Sequence, residues 1–218
     1  MESNPKPLLR GEMMNRVPFR HQVSEYDCTP TTVLNALSSL FDRDSIHGAV
    51  VKMVYLLTLD DLGPRSSKPK GTSDAAVEHL SAWLNEFNKG KFVRCKHLLG
   101  EAVTLRTIAI WLKREGVAVL QVNYRQGKEG DPERHHVLVV SIDDEWAYCF
   151  CPHPLAPRAS KPGAYEFLVH ERRKGQEPNM RISKAWLEMG ESSMYQMGAV
   201  MHRECLLLKR RVKLRSRD

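Results

Sequence analysis

The chain has 218 residues, of which 42% are hydrophobic, and a formal charge of +7 from 33 Lys and Arg against 26 Asp and Glu. That length and composition fit a soluble globular protein with one core. No apolar run approaches the roughly 18 residues a membrane span needs.

The start, MESNPKPLLRGEMMNR, is polar and broken by prolines, unlike an export signal. The cysteines (Cys28, Cys95, Cys149, Cys151, Cys205) are odd in number and irregularly spaced, so they read as free thiols in a reducing compartment rather than a disulfide scaffold. A cytoplasmic protein is expected. Much of the positive charge sits in HERRKG near residue 170 and in the tail KRRVKLRSRD. A single domain over 1–208 with a solvated basic tail over 209–218 is the reading preferred to a nucleic-acid contact.

In chain order, Val33, Leu34, Leu37, Leu40 and Phe41 paint one face of a helix that follows Cys28, with Pro30 in its first turn. IHGAVVKMVYLLTL predicts a second helix and runs into DDLGPRSSKPKGT, a loop by composition. Ser73 reads as the cap of a third, with Ala76, Val77, Leu80, Leu84 and Phe87 inward. FVRCKHL predicts a short strand. Thr104 then caps a helix carrying Ile108, Trp111 and Leu112 that stops at Gly116. Beyond it VAVLQVNY, HHVLVVSI and EWAYCF are β-branched and aromatic runs parted by the polar turns RQGKEGDPER and DD, the pattern of adjacent antiparallel strands. YEFLVHE and GAVMHRECLLLKR predict further strands, and residues 183–189 a short helix. Helices first and an antiparallel sheet after make an α+β domain.

The stretch HQVSEYDCTPTTVLNAL places Cys28 where a helix begins, at Thr29 or Pro30. A thiol attacks as its thiolate, and the unpaired N–H groups and dipole of a helix start favour that anion. A base is still needed. His135 and His136 head the strand HHVLVV, and alternation sends their rings to opposite faces, so at most one is expected to face Cys28. His135 would share its face with Val137 and Val139, His136 with Leu138 and Val140, and periodicity does not choose between them. Gln22 supplies a third element, a side-chain amide able to stabilise an oxyanion beside the backbone N–H of Cys28.

Taken together, Q-V-S-E-Y-D-C, then H-H-V-L-V-V-S-I-D-D and F-C-P, resemble the papain-like cysteine peptidases of the bacteriocin-processing type, which remove double-glycine leader peptides. The resemblance runs from about residue 17 to 155. It implies a papain-like fold, N-terminal helices packed on a C-terminal antiparallel sheet, with Gln22 in the oxyanion hole, Cys28 as nucleophile and His135 as base. His136 then fills the aromatic position of the family's strand. The sequence departs from that pattern at Thr29, where the family has glycine, and in having no transporter. It departs most at Cys151-Pro152, where the family's Asp-Pro would orient the histidine. Asp143, Asp144 or a backbone carbonyl are the substitutes the sequence offers.

The expected activity is therefore cleavage of an amide or ester, a peptide first, by a Cys-His pair that requires no cofactor. Acyl transfer by the same site, and a binding or scaffold protein that keeps the fold without the activity, are the alternatives. C-F-C-P-H at 149–153 offers Cys149, Cys151 and His153 to a metal, but Pro152 breaks the strand before His153 and the pair lacks finger spacing. Core thiols and no metal are expected there.

Overall fold

In a computed structural model, residues 17–60, 71–126, 132–153, 168–170, 175–191 and 193–211 are described. Helix α1 (Cys28–Leu40) is the central element, and every residue from Thr29 to Ser38 is buried. Helices α2 (Gly48–Thr58) and α3 (Asp74–Gly90) follow, the latter capped by the Ser73 hydroxyl on Ala76 N–H. Strand β1 (Val93–Leu99) and helix α4 (Leu105–Leu112), capped by Thr104, come next. Strands β2 (Gly116–Gln126), β3 (Pro132–Ile142) and β4 (Trp146–Phe150) form the expected meander. Strands β5 (Leu168–His170) and β6 (Met180–Ser183), helix α5 (Lys184–Leu187) and strand β7 (Glu204–Arg210) complete the chain.

The seven strands form one antiparallel sheet in the order β1-β7-β2-β3-β4-β6-β5. Both faces are covered, so β7 runs apolar from Cys205 to Leu208 rather than alternating. On one face Val33, Ala36 and Leu37 of α1, Val50 and Val54 of α2, and Val77, Leu80 and Leu84 of α3 pack on Val93, Val119, Leu138, Leu206 and Leu208. On the other, Leu105 and Ile108 of α4 and Leu187 of α5 pack on Leu120, Val137, Val139, Ile182 and Leu207. Truncating one of the wholly buried leucines, such as Leu37 or Leu138, to alanine costs about 2–5 kcal/mol in such cores.

Three boundaries differ from expectation. Helix α1 begins at Cys28 itself, with Pro30 still in its first turn. GAVMHRECLLLKR is a strand only from Glu204, because Val200–His202 forms a 3₁₀ turn. The basic tail starts later than residue 209. Lys209 and Arg210 pair with Arg94 and Val93 in the sheet, and their charged heads lie over the Trp111 and Phe41 rings, 5.0 and 5.6 Å from the centroids. Residues 212–218 and most of the HERRKG cluster lie outside the described residues.

Candidate active site

The pairing of β3 makes the site. Strand β4 leaves β3 after the Leu138–Phe150 pair, while β2 stays paired to β3 through His136 and His135. Among the described residues, the β4 edge of β3 at those two histidines therefore faces no strand. The N-terminal turn of α1 meets it there: the Thr29 hydroxyl lies 2.9 Å from His136 Nδ1, and the Thr32 hydroxyl donates to the His136 carbonyl at 3.1 Å.

Alternation does send the two rings to opposite faces. His135 packs against the Tyr124 ring in a tilted arrangement, centroids 4.8 Å apart, and its Nε2 lies 3.3 Å from the Cys151 thiol, itself 3.4 Å from the Tyr195 hydroxyl. His136 lies on the α1 face, with Nε2 3.5 Å from Glu204 Oε2. Both rings nonetheless act electrostatically on Cys28, His135 from one side of β3 and His136 from the other. The unpaired edge is the reason: a thiol at the rim of a sheet, rather than above one face, is within reach from both sides.

The electrostatics single out this cysteine. Burial raises a thiol's pKa, and it pushes Cys149 and Cys205 far up and Cys95 to about 12. At Cys28 burial acts in the same direction, but hydrogen bonds from His135 and His136 and their positive charge outweigh it and hold the thiol well below its ordinary value. For His135, burial favours the neutral ring, yet the charges of Cys151 and Cys28 raise it to about 10. For His136, burial is outweighed by Cys28 and Glu204, which raise it to about 9. Cys28 remains partly exposed, as a group that meets a substrate must.

Gln22 is held in the loop that leads into α1. Its backbone N–H donates to the Pro152 carbonyl at 2.8 Å, and its buried side-chain Nε2 donates one hydrogen to the Ser24 carbonyl at 2.7 Å. Among the described residues the second Nε2 hydrogen has no partner, and the buried Oε1 has none either. Asp27 folds this loop: its carboxylate accepts from the N–H groups of Val23 (3.0 Å) and Ser24 (2.7 Å) and from the hydroxyls of Ser24 and Thr31. Cys28, as the first residue of α1, has no helical partner for its own N–H.

The orienting position is occupied by Cys151, as the sequence implied. Asp143 and Asp144 do not replace it. They sit in the β3–β4 turn, at the far end of a strand from His135 and roughly 25 Å away at about 3.4 Å per residue. Asp143 is used there by the N–H groups of Glu145 and Trp146 and by the Tyr148 hydroxyl. In C-F-C-P-H the thiols are buried, with Cys149 against the Ala147 carbonyl and Cys151 turned to His135, and His153 lies past the end of β4. No group of three metal-ligating side chains exists among the described residues.

Two residues near the site carried no sequence signal. Tyr195, fully buried, has a φ of 60°, a left-handed backbone that a bulky residue rarely adopts. It is locked there by Tyr195 N–H on the Asn123 carbonyl (2.6 Å) and Asn123 N–H on the Gln196 carbonyl (2.8 Å). Glu204 is the other, a buried acid heading β7 directly before the apolar run Cys205–Leu208.

A central helix that opens on a cysteine, set against an antiparallel sheet carrying histidines, is the papain-like cysteine peptidase fold. Among solved structures, the chain resembles a protein from Bacillus anthracis assigned as a C39-like peptidase, with a TM-score of 0.52 at 14% identity, over 92% of this chain and 98% of that one. The fold is accordingly of the C39-like peptidase kind. No family model matches the chain, and no curated protein is similar to it in sequence.

Proposed function

We propose that the protein is a thiol hydrolase that cleaves an amide or ester bond, with a peptide as the first substrate class. The observation that carries this reading is geometric: Cys28, partly exposed at the first position of α1, sits where that helix start meets β3 at His136, and the charge of the histidines lowers its thiol pKa in keeping with that placement. Buried cysteines kept only for packing go the other way, as Cys149 and Cys205 do.

In the reaction the Cys28 thiolate attacks the carbonyl carbon. The carbonyl π electrons move to oxygen, and that oxyanion is bound by the Cys28 N–H and the free N–H of the Gln22 amide. His135 is the proton donor to the leaving amine. Its Nε2 is engaged by Cys151, which leaves Nδ1 as the nitrogen available to Cys28 and substrate. The C–N bond breaks with transfer of the His135 proton to nitrogen, giving a thioester. Water then attacks the thioester, His135 takes its proton, and the acid and Cys28 are released.

The bacteriocin-type resemblance supports an extended peptide with small residues before the cleaved bond, and five free thiols support a cytoplasmic location. Hydrolysis of such peptides by the full chain is the test. Cys28→Ala should abolish it, and Gln22→Ala should lower kcat by about 10²–10³. Turnover that survives Cys28→Ala would refute the reading. The scaffold alternative is favoured by Cys151 in the orienting position. Acyl transfer would show instead as release of the acyl group only when an amine acceptor is added.

A further inference from the structure

A row of polar side chains crosses the α1 face of the sheet and takes no part in the chemistry above. His136 of β3, Gln121 of β2 and Glu204 of β7 stand beside one another. Each ends a column of apolar residues on that face: Leu138 for His136, Val119 for Gln121, Leu206 and Leu208 for Glu204. His97 of β1, in line with Cys95 and Val93, closes the row. Glu204 is 2% exposed and His136 5%, so their charges are out of water. A carboxylate so placed requires a partner, and this one has three: His97 Nε2 at 2.7 Å, the Gln121 amide donating at 2.9 Å, and His136 Nε2 at 3.5 Å. The other ring nitrogen of His136, Nδ1, meets the Thr29 hydroxyl at 2.9 Å, and that hydroxyl lies 3.9 Å from the Cys28 sulfur. A continuous path therefore runs from a buried carboxylate through an imidazole to the nucleophile, on the side of β3 opposite Cys151.

We propose that Glu204 is the positioning carboxylate of this site: through His136 and Thr29 it holds a second positive charge beside the Cys28 thiol, supplying from the α1 face the carboxylate that Cys151 replaces. This rests on Cys28 being the nucleophile of the proposed function. His136 does not serve as the proton donor, because its Nδ1 is turned to the Thr29 hydroxyl at 2.9 Å and its buried Nε2, with no hydrogen-bond partner among the described residues, faces Glu204 as an ion pair at 3.5 Å rather than the thiol. It stays an imidazolium throughout, and the proton that leaves with the amine is that of His135. The lowered carboxyl of Glu204, at about 2 despite its burial because His136 and His97 face it, agrees with a permanent ion pair.

The charged and titratable groups around the pair are few. His97 faces it from β1 and Cys28 from α1, Cys205 adjoins Glu204 in β7, and Arg134 stands behind Gln121, donating to its side-chain oxygen at 3.2 Å. His135 and Cys151 lie across the β3 edge. Of these, His136 and His135 are the ones whose positive charge lowers the thiol.

The experiment is the pH dependence of Cys28 alkylation by iodoacetamide in the full chain, followed by peptide mass spectrometry, which needs no substrate. Glu204→Gln should raise the alkylation inflection by about 1–3 pH units, the effect of removing a nearby opposite charge. Glu204→Asp, which keeps the carboxylate, should restore most of it. His136→Phe, which places an apolar ring in a buried site, should give the same upward shift if Glu204→Gln does not fold. A low inflection in the wild type that persists in Glu204→Gln or His136→Phe would overturn this inference and leave the proposed function standing. A wild-type inflection no lower than that of free cysteine would overturn both.

Discussion

Asp27 organises the site through the chain in front of the nucleophile rather than through the helix behind it. It makes no side-chain cap on α1, but receives four hydrogen bonds from Val23, Ser24 and Thr31. Burial raises its carboxyl, yet the bonds from Val23 and Ser24 outweigh burial and hold it below the usual range. Its contribution is present above the unfolded value of about 3.9 and is lost as pH falls through the lower folded one. Asp27→Asn should cost about 1.5–3 kcal/mol in urea unfolding at pH 7, the worth of bonds to a charged group. It should also slow Cys28 alkylation, since Gln22 and Cys28 flank the loosened loop. Thr29→Val removes the hydroxyl between Cys28 and His136. It should destabilise by about 1–3 kcal/mol through the ring nitrogen left buried and unpaired, with Thr29→Ser restoring the loss. At this scale the sequence was legible where chemistry is local: Gln22, Cys28 and Thr29 lie in one short stretch. Glu204 and Tyr195 were not legible, because what each does depends on partners brought to it by other strands and loops.

Among the elements, the α4–β2 junction shows why a correctly placed glycine can have an unexpected cause. Gly116 marked the end of a helix in the sequence, yet α4 ends at Leu112 and the left-handed residue of the turn is Glu115, at φ 59°. Gly116 is required by contact: a Cβ there would stand 2.2 Å from Trp111 Cδ1 and 3.0 Å from the Leu208 carbonyl oxygen. That same carbonyl accepts the Trp111 indole N–H at 2.9 Å. Gly116→Ala should therefore displace the indole and cost about 1–3 kcal/mol, read as a lowered urea midpoint with reduced Trp burial by fluorescence. Helices and strands with clear periods, such as α1 and β3, were readable because one face of each meets an apolar core. The parting of β4 from β3 after Phe150 was not, although it opens the edge at which the thiol sits. Pro152 signalled the end of a strand, and only the pairing register shows where that end falls relative to His135 and His136.

For the whole molecule, an α+β fold follows from the order of the periodic segments and its papain-like kind from the resemblance, whereas the helices that cover the second face of the sheet were not foreseen. Nor was the charge balance of its interior. His136 is raised to about 9 and His135 to about 10, so each contributes stability that is fully present below the unfolded value of about 6.5 and lost as pH rises through those folded values. Glu204, lowered to about 2, contributes above its unfolded value of about 4.3 and loses it as pH falls through 2. Cys28 opposes the histidines, adding stability as pH rises toward about 8.5, but one thiol stands against two imidazoles. The melting temperature should therefore be highest between about pH 4.3 and 6.5 and fall toward pH 10. Glu204→Gln should flatten the acid side of that profile, and a wild-type profile level from pH 6 to 10 would contradict the buried charges.

Everything proposed for the site depends on Cys28 being an activated thiolate, and selective labelling tests that most directly. Treated at neutral pH with a broad thiol electrophile, the protein should be modified at Cys28 well ahead of Cys95, Cys149, Cys151 and Cys205, and His135→Ala should slow that reaction markedly. Slow labelling shared among the cysteines and unchanged by His135→Ala would contradict the account and leave a papain-like fold without a nucleophile.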